Sequence, residues 1–186
     1  MTQILRLLHV ILMSVFRPRL GPYDPSLLAF RVMPADIDIN FHMNNARYLS
    51  MMDHGRWDVI LRSGFWREAI RRRLRPVIGG TIVRYRRSLK PFQSFVLTTR
   101  LVTWDERWLY LEQTVESRGL LSCIAQLRVA FVGPDGTVPP GTVAGLMGVR
   151  GGPPPSPAWI QRWRDLDGDL DSHPSLSLLE PMSCAH

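Results

Sequence analysis

The spacing of apolar residues changes along the chain and predicts a long helix followed by strands. Residues 27–33 form a short apolar run that ends at Pro34, as a strand does. Over residues 45–63 apolar positions recur at intervals of three and four, which predicts one amphipathic helix. The predicted buried stripe of this helix consists of Tyr48, Met52, Gly55 and Val59. The residues that lie largely off this stripe are Arg47, Ser50, Asp58 and Arg62.

Beyond Pro76 the period falls to two, which predicts strands. A short basic helix over 66–73 comes first and is closed by Pro76. Strands are then predicted within 77–90, 95–103, 108–116 and 121–131, with tight turns at 104–107 and 117–119. Four successive strands with short connections predict an antiparallel meander on which the long helix packs. The pattern therefore predicts an α+β layer fold.

The two ends of the chain differ from this central region. Residues 4–16 are largely apolar but fall short of the roughly 20 residues that a spanning helix needs. We expect a helix packed on its own domain or on a dimer partner; the alternative is peripheral membrane contact through residues 1–19. From Gly133 onward the chain is rich in proline and glycine, with a short helix around 158–164. The predicted organisation is an apolar N-terminal extension (1–22), a central domain (23–135) and a C-terminal extension (136–186).

Composition narrows the class of protein. The 186 residues suffice for one domain with extensions, and 45% hydrophobic with 21% charged residues is typical of a globular protein. The net charge of +7 suits nucleic acid, an anionic membrane or a phosphorylated ligand such as coenzyme A. No zinc-finger or helix-turn-helix pattern supports nucleic acid. Cys123 and Cys184 form no Cys-x-x-Cys pair and no disulfide framework, so we expect a reducing, cytoplasmic compartment and neither metal nor cofactor.

Polar side chains are concentrated in the ten residues before the long helix, namely Asp36, Asp38, Asn40, His42, Asn44 and Asn45. Each alone is uninformative, because Asp and Asn are ordinary turn and N-cap residues and a loop histidine is usually solvated. The cluster as a whole lies at a helix N-terminus, where free N–H groups and the helix dipole stabilise an oxyanion. Asp38 is placed to activate water or to attack a thioester directly. Asn40 or His42 is placed to orient the water or shuttle a proton.

The string Asp38-x-Asn40-x-His42-x-Asn44-Asn45-x-x-Tyr48 resembles the first-helix signature of hotdog thioesterases, in particular the 4-hydroxybenzoyl-CoA thioesterase-like group. It also resembles the Asp-x-Asn-x-His-x-Asn-Asn segment of plant acyl-carrier-protein thioesterases. Flanking residues, including Phe30-Arg31-Val32 and Tyr85-Arg86-Arg87-Ser88-Leu89, are similar to the eukaryotic thioesterase superfamily member 6 group. The resemblance covers roughly residues 27–132. It implies a hotdog fold, in which an antiparallel sheet wraps a long central helix.

The resemblance also implies an activity: hydrolysis of an acyl-CoA or acyl-ACP thioester, with Asp38 as the catalytic aspartate assisted by Asn40 and His42. The plant enzymes carry a further carboxylate after their Tyr-Arg-Arg triplet, a place that Ser88 occupies here. A homodimer or higher homo-oligomer is implied, with acyl sites at the subunit interface. The residues expected to contact substrate are Asn45, Tyr48, Arg86 and Arg87. For Tyr48 a core position is the alternative, and the arginines of the basic helix have an equal claim on coenzyme A phosphates.

Two further functions remain open at this point. Ser88 and the apolar N-terminus favour a non-catalytic acyl-thioester-binding protein, associated with a membrane in one version. A hotdog dehydratase or hydratase fits less well, because those enzymes place a histidine and a carboxylate differently. The sequence determines neither the acyl group nor the choice between coenzyme A and acyl carrier protein.

Overall fold

The computed structural model describes residues 3–171, which form two compact units, the first ending at Pro154 and the second beginning at Pro155. The first unit carries every predicted site residue. The second unit contains one described helix, in which the rings of Trp159 and Trp163 lie 6.2 Å apart. Cys184 lies outside the described residues.

The elements of the first unit are α1 (Gln3–Phe16), β1 (Ser26–Arg31), α2 (Asn45–Arg62), α3 (Phe65–Arg71), β2 (Arg75–Tyr85), β3 (Ser94–Trp104), β4 (Leu109–Ser117), β5 (Leu120–Gly133), β6 (Gly136–Val138) and α4 (Pro140–Leu146). A 3-10 turn, Pro34–Asp36, lies between β1 and α2. The helix of the second unit is α5 (Ala158–Asp171), which continues beyond the predicted 158–164. The predicted long helix, the short basic helix and the five main strands are confirmed.

The strands form one antiparallel sheet in the order β1-β3-β4-β5-β2, with β6 beside β5. The predicted meander of four successive strands is wrong for β2, which pairs with β5 and not with β3. The turns between β3, β4 and β5 are short enough for hairpins. The connection from β2 to β3, residues 86–93, is too long for a tight turn and contains Pro91. It carries the chain from β2 at one edge of the sheet to β3, which lies between β1 and β4.

Helix α2 packs on the sheet through the stripe predicted from its spacing, since Tyr48, Met52, Gly55 and Val59 are all buried. Gly55 permits a close approach, because a Cβ at this position would collide with the hydroxyl of Thr99. Gln113 of β4 joins helix and sheet. Its side-chain amide donates to the carbonyl of Met52 and to Thr99 Oγ1, both at 2.8 Å.

Helix α1 packs against α2 and buries Arg6 and Val10, which confirms the expected contact with its own domain. The prediction that Asp58 and Arg62 lie off the buried face of α2 was wrong, since both are buried. The chain after α1 covers them. Arg62 Nε donates to the carbonyl of Pro18 at 2.9 Å, and Arg17 pairs with Asp58.

The opposite side of α1 carries exposed apolar side chains, among them Ile4, Leu8, Leu12, Val15 and Phe16. Val15 and Phe16 are each 75% exposed. Within residues 3–171, no helix combines the length and the apolar character needed to cross a bilayer. The helix therefore has one face that contributes to the core and one uncovered apolar face.

Neither β6 nor α4 was predicted, because the sequence after Gly133 is rich in proline and glycine. The end of β5 pairs with β6, and α4 places Val143 and Ala144 in the core. Pro140 lies in the first turn of α4, where its missing N–H costs nothing. Proline here begins a helix instead of interrupting one.

Candidate active site

The loop before α2, residues 37–44, is compact and internally hydrogen-bonded; we call it the motif loop. Ile37 and Met43 form an antiparallel bridge at its base. Between them, the amide of Asp38 donates to the carbonyl of His42 (3.0 Å), and the amide of Phe41 donates to the carbonyl of Asp38 (3.1 Å). Phe41 has φ of 56°, the left-handed region that few non-glycine residues adopt. The loop thus has a defined shape.

The carboxylate of Asp38 is half-buried and held within this loop. Its Oδ1 accepts from the amide of Asn40 at 2.9 Å, an Asx turn that orients the side chain. Asn40 is exposed and His42 half-buried, and neither side chain has a hydrogen bond to another described residue. Both side chains are therefore available to water or to a ligand.

The start of α2 leaves one amide free. Asn44 is the N-cap, and its Oδ1 accepts from the amide of Ala46 at 2.9 Å. The amide of Arg47 donates to the carbonyl of Asn44. Among the described residues the amide of Asn45 has no acceptor, so it is the first-turn N–H that can serve an anionic ligand.

The connection after β2 closes over this helix start. The amide of Met43 donates to the carbonyl of Leu89 (2.9 Å), and the amide of Leu89 donates to the hydroxyl of Tyr48 (3.3 Å). Tyr85 donates from its hydroxyl to the carbonyl of Asn45 (3.2 Å), and its ring meets that of Tyr48 edge to face at 5.4 Å. The two stretches of sequence that carry the resemblance therefore lie side by side.

Arg86 and Arg87 lie at this same junction with exposed side chains. Their amides donate to the carbonyl of Ser122 at 2.8 and 3.1 Å. Both residues follow the last residue of β2. The alternation of a strand, which would have sent neighbouring arginines to opposite faces, does not apply to them.

Tyr48 and Cys123 are buried beneath this junction. Burial raises the pKa of the Tyr48 phenol to about 12, and burial likewise raises the pKa of the Cys123 thiol to about 12. At neutral pH both groups remain protonated and uncharged. Neither provides a base or a nucleophile there at that pH.

An apolar cavity of about 150 Å³ lies elsewhere, between the C-terminal half of α2 and the sheet. Its lining includes Val59, Leu109 and Phe131, and no residue of the motif loop. At the motif loop itself, Ile39 and Phe41 are 93% and 76% exposed. A single chain thus leaves apolar side chains uncovered on both sides of Asn40.

One ion pair beside the motif loop was missed by the sequence analysis, which gave Asp36 no role. Asp36 is buried and paired with Arg6 of α1 at 2.7 Å. Residues so far apart in sequence show no shared pattern. The available signal was an arginine that interrupts an otherwise apolar N-terminal run.

Comparison with known proteins identifies the family. The family model described as the thioesterase-like superfamily matches residues 32–164, which is more than half of the chain. The chain belongs to the thioesterase-like superfamily. Among its relatives, the THEM6 protein of Danio rerio is 42% identical over 100 residues, covering 53% of this chain and 50% of that protein. This superfamily member thus spans about half the length of the curated relatives it matches.

Solved structures show the fold of this superfamily member. The probable thioesterase YbaW of Escherichia coli superimposes with a TM-score of 0.61 at 19% identity, covering 65% of this chain and 95% of YbaW. The BH1999 gentisyl-coenzyme A thioesterase superimposes with a TM-score of 0.59 at 15% identity, covering 67% of this chain and 100% of that protein. The predicted hotdog fold is confirmed.

Proposed function

We propose that this chain hydrolyses an acyl thioester to a free acid and a thiol, with Asp38 as general base or nucleophile. The observation that supports this function best is an oriented carboxylate in the loop that leads directly into a helix start with an unoccupied amide. Asp38 is held by the amide of Asn40, and the amide of Asn45 is free among the described residues. Membership of the thioesterase-like superfamily supports the same reaction.

With Asp38 as base, the carboxylate takes a proton from water while the water oxygen bonds to the thioester carbon. The carbonyl electron pair moves to oxygen, and the amide of Asn45 donates to this oxyanion. Such a donor is worth roughly 3 to 4 kcal/mol in a transition state. When the intermediate collapses, the carbon–sulfur bond breaks and the thiolate takes up the proton. The side chains of Asn40 and His42 orient the water or carry that proton.

The rival function is a non-catalytic protein that binds an acyl thioester. Ser88 supports it, because the residue stands where plant relatives have a second carboxylate. In the structure the neighbouring Leu89 bonds both to Met43 and to Tyr48, so Ser88 adjoins a residue that contacts the motif loop. A carboxylate is therefore missing from a place where it could have acted.

A panel of acyl-CoA substrates, with release of free thiol as the readout, separates the two functions. General-base catalysis contributes about 10²- to 10⁴-fold, so Asp38→Asn should lower kcat by about that factor. Asp135→Asn, an exposed aspartate in the turn between β5 and β6, is the matched control and should retain full activity. Full hydrolysis by Asp38→Ala on every substrate would refute the role of Asp38. Tight binding of acyl-CoA by the wild-type chain without turnover would establish the rival function.

We also propose that Arg86 and Arg87 bind the phosphates of coenzyme A as carrier. They are exposed at the junction beside the motif loop, whereas Arg71, the last residue of α3, and Arg72, its C-cap, are already paired with Glu68 at 2.5 and 3.1 Å. The gentisyl-coenzyme A thioesterase with the same fold acts on such a carrier. An arginine that binds phosphate in bidentate fashion would recognise the nucleotide end of the substrate.

Arg86→Gln should raise KM for an acyl-CoA by up to about fivefold, the range of an exposed ion pair. KM for the matching S-acyl pantetheine, which lacks the nucleotide phosphates, should not change. Arg72→Gln, at the C-cap of α3, is the control. An equal rise of KM for both substrates would contradict phosphate binding, and a preference for acyl carrier protein over acyl-CoA would identify the other carrier.

We further propose a homodimer that covers the motif loop. Strand β2 forms one edge of the sheet, and within residues 3–171 it pairs with β5 on one side only. An open edge of this length is a template for pairing with a second copy. Ile39 and Phe41, exposed on the motif loop, are the apolar groups that an interfacial acyl site would bury.

Light scattering after size exclusion should give twice the mass of the chain. Ile82→Lys adds a charge to β2 and should shift the protein toward monomer. Val96→Lys on β3, where the starting exposure is 40% against 43% at Ile82, should leave the mass unchanged because β3 has a partner strand on each side. A monomeric wild-type chain that hydrolyses thioesters would refute the interfacial site.

The outer face of α1 supports a peripheral membrane contact through residues 1–19. Leu8, Leu12 and Val15 form an exposed apolar stripe there, and exposed Arg19 together with the net charge of +7 favours an anionic surface. The wild-type chain should co-sediment with vesicles of phosphatidylcholine and phosphatidylglycerol more than with phosphatidylcholine alone. Val15→Asp should reduce this binding and Leu166→Asp on α5 should not. Equal recovery of the wild-type chain and both variants in the supernatant would refute the membrane contact. The cytoplasmic location stays a prediction.

A further inference from the structure

A buried guanidinium on α1 reaches the base of the motif loop. Arg6 and Asp36 are each 1% exposed. Arg6 Nη1 donates to Asp36 Oδ1 at 2.9 Å and Nη2 donates to Oδ2 at 2.7 Å, a bidentate pair. Nη2 also donates to the carbonyl of Arg31 at 3.1 Å, and Nη1 lies 3.5 Å from Met51 Sδ. One side chain therefore contacts the end of β1, the turn before the motif loop, and α2.

Asp36 in turn contacts both ends of the motif loop. Its Oδ2 accepts from the amide of Met33 at 2.8 Å, which closes the 3-10 turn before the loop. Its carbonyl accepts from the amide of Asn44, the last residue of the loop and the N-cap of α2, also at 2.8 Å. Asp38 is only two residues away. The orientation of Asp36 consequently sets the backbone from which the Asp38 side chain projects.

A second set of contacts holds the other end of α1 without involving the motif loop. There Arg17 lies 3.4 Å from the carboxylate of Asp58, which also accepts from Arg62 and Ser26. Asp58 lies thirteen positions beyond the first residue of α2, or roughly 20 Å along the helix axis. The two ends of one helix thus provide a comparison between an anchor at the motif loop and an anchor far from it.

An ion pair is an unusual anchor in such a position. Two buried charges lose their hydration, and a well-packed apolar pair often stabilises a fold equally well. Unlike a contact between apolar side chains, the contact of a guanidinium with a carboxylate is directional, because its two parallel hydrogen bonds require the two planar groups to be aligned. Such a contact constrains the geometry of a loop in addition to its stability.

We propose that Arg6 and Asp36 are positioning residues, through which α1 holds the motif loop in the geometry that Asp38 requires. This inference rests on the proposed function, since Asp38 is the group positioned. Arg6 lies outside residues 32–164, the part of the chain that the superfamily model matches. The positioning contact is therefore supplied by a segment additional to the matched region.

The test compares Arg6→Met with Arg17→Met in the full chain. A misplacement of about 1 Å typically costs about 100-fold in rate, so Arg6→Met should lower kcat for an acyl-CoA by about 10- to 100-fold. KM should stay within about twofold, because substrate contacts are kept. Arg17→Met should leave kcat unchanged. Arg6→Lys, which keeps the charge but loses the fork, should recover part of kcat.

Amide hydrogen exchange of the motif loop gives a readout that does not depend on activity. The amides of Asp38, Phe41, Met43 and Asn44 are hydrogen-bonded and should exchange faster in Arg6→Met than in the wild-type chain or Arg17→Met. Asp36→Asn, which keeps the shape of the side chain, serves as the second variant if Arg6→Met does not fold. In Asp36→Asn, as in Arg6→Met, the loop amides should exchange faster and kcat should be lower than in the wild-type chain.

Three results would overturn the proposal: unchanged kcat in Arg6→Met, unchanged exchange of the loop amides, or equal losses in Arg6→Met and Arg17→Met. The last would show that Arg6 is only a structural anchor. If the wild-type chain hydrolyses no thioester, the proposed function fails separately. The exchange comparison still decides whether Arg6 fixes the geometry of the loop.

Discussion

Replacing Asp58 by alanine should destabilise the protein more than any surface substitution. Its side chain is fully buried, and its Oδ2 accepts from Ser26 Oγ at 2.6 Å and from Arg62 Nη1 at 3.0 Å. Arg17 lies 3.4 Å away at the edge of this cluster. Alanine would remove the anion and leave Arg62 buried without its counter-charge, an arrangement that costs about 3 to 5 kcal/mol.

The contacts of the cluster rank the related variants. The side chain of Arg17 is 29% exposed and that of Arg62 is 7% exposed. Water therefore already solvates Arg17 in part, whereas Arg62 depends on Asp58 for its counter-charge. We expect Arg17→Met to cost about 1 kcal/mol, because Asp58 keeps its hydrogen bonds from Arg62 and Ser26. Asp58→Asn keeps the shape of the side chain and an oxygen that accepts hydrogen bonds. Its loss of unfolding free energy should lie between those of Arg17→Met and Asp58→Ala. A loss of 3 to 5 kcal/mol is a large part of the roughly 5 to 15 kcal/mol that folds a domain.

Urea unfolding, followed by tryptophan fluorescence and far-ultraviolet circular dichroism, measures these differences. The free energy of unfolding is extrapolated to water for each variant, and an unchanged dependence on urea shows that the unfolded states are comparable. The reasoning would be refuted if Asp58→Ala cost less than about 1 kcal/mol or less than Arg17→Met. Either result would mean that Arg62 finds another partner or reaches water.

Other predictions concern the core beneath the candidate site. Gly55→Ala should cost about 1 to 3 kcal/mol in urea unfolding despite the better helix propensity of alanine, because the new Cβ collides with Thr99; an unchanged midpoint would show that α2 can move away. Tyr48→Phe should cost about 1 to 3 kcal/mol by leaving the amide of Leu89 without its acceptor, and a neutral effect would mean that water replaces the hydroxyl. Burial raises the pKa of the Cys123 thiol to about 12, so this thiol ionises at lower pH in the unfolded chain than in the folded one. Its contribution to the free energy of unfolding is fully present below about pH 8.5 and is lost as the pH rises toward 12. Cys123→Ala should lose less stability between pH 8 and pH 11, and identical curves for both proteins would contradict this assignment.

Spacing along the chain predicted the elements, because helices and strands bury residues at different periods. The stripe of α2 was correct for this reason. The partner of β2 was not predictable in the same way, since a strand alternates identically whichever neighbour it has. The local sign was the connection through Pro91, which is longer than the common hairpin turns.

In the candidate site, too, features set by neighbouring residues were predictable and contacts between distant segments were not. Asp38, Asn40 and His42 lie close together in sequence, so a local pattern could predict them as one cluster, and their chemical roles stay predictions. The contact of Leu89 with Met43 joins distant segments, and no local pattern in the sequence predicts that they meet. The burial of Asp58 and Arg62 depends on the chain after α1, where Arg17 and Pro18 contact them, and no periodicity within α2 contains that information.

The pair of Arg6 and Asp36 also bears on where this protein can be cut. The match to the superfamily begins at residue 32, so a fragment chosen from sequence similarity would keep Asp36 and discard Arg6 together with strand β1. Such a fragment would leave the carboxylate of Asp36 without its cation and expose the edge of the sheet that β1 covers. The region recognised by comparison is thus smaller than the region that has to fold together, and a recombinant version should retain residues 1–31.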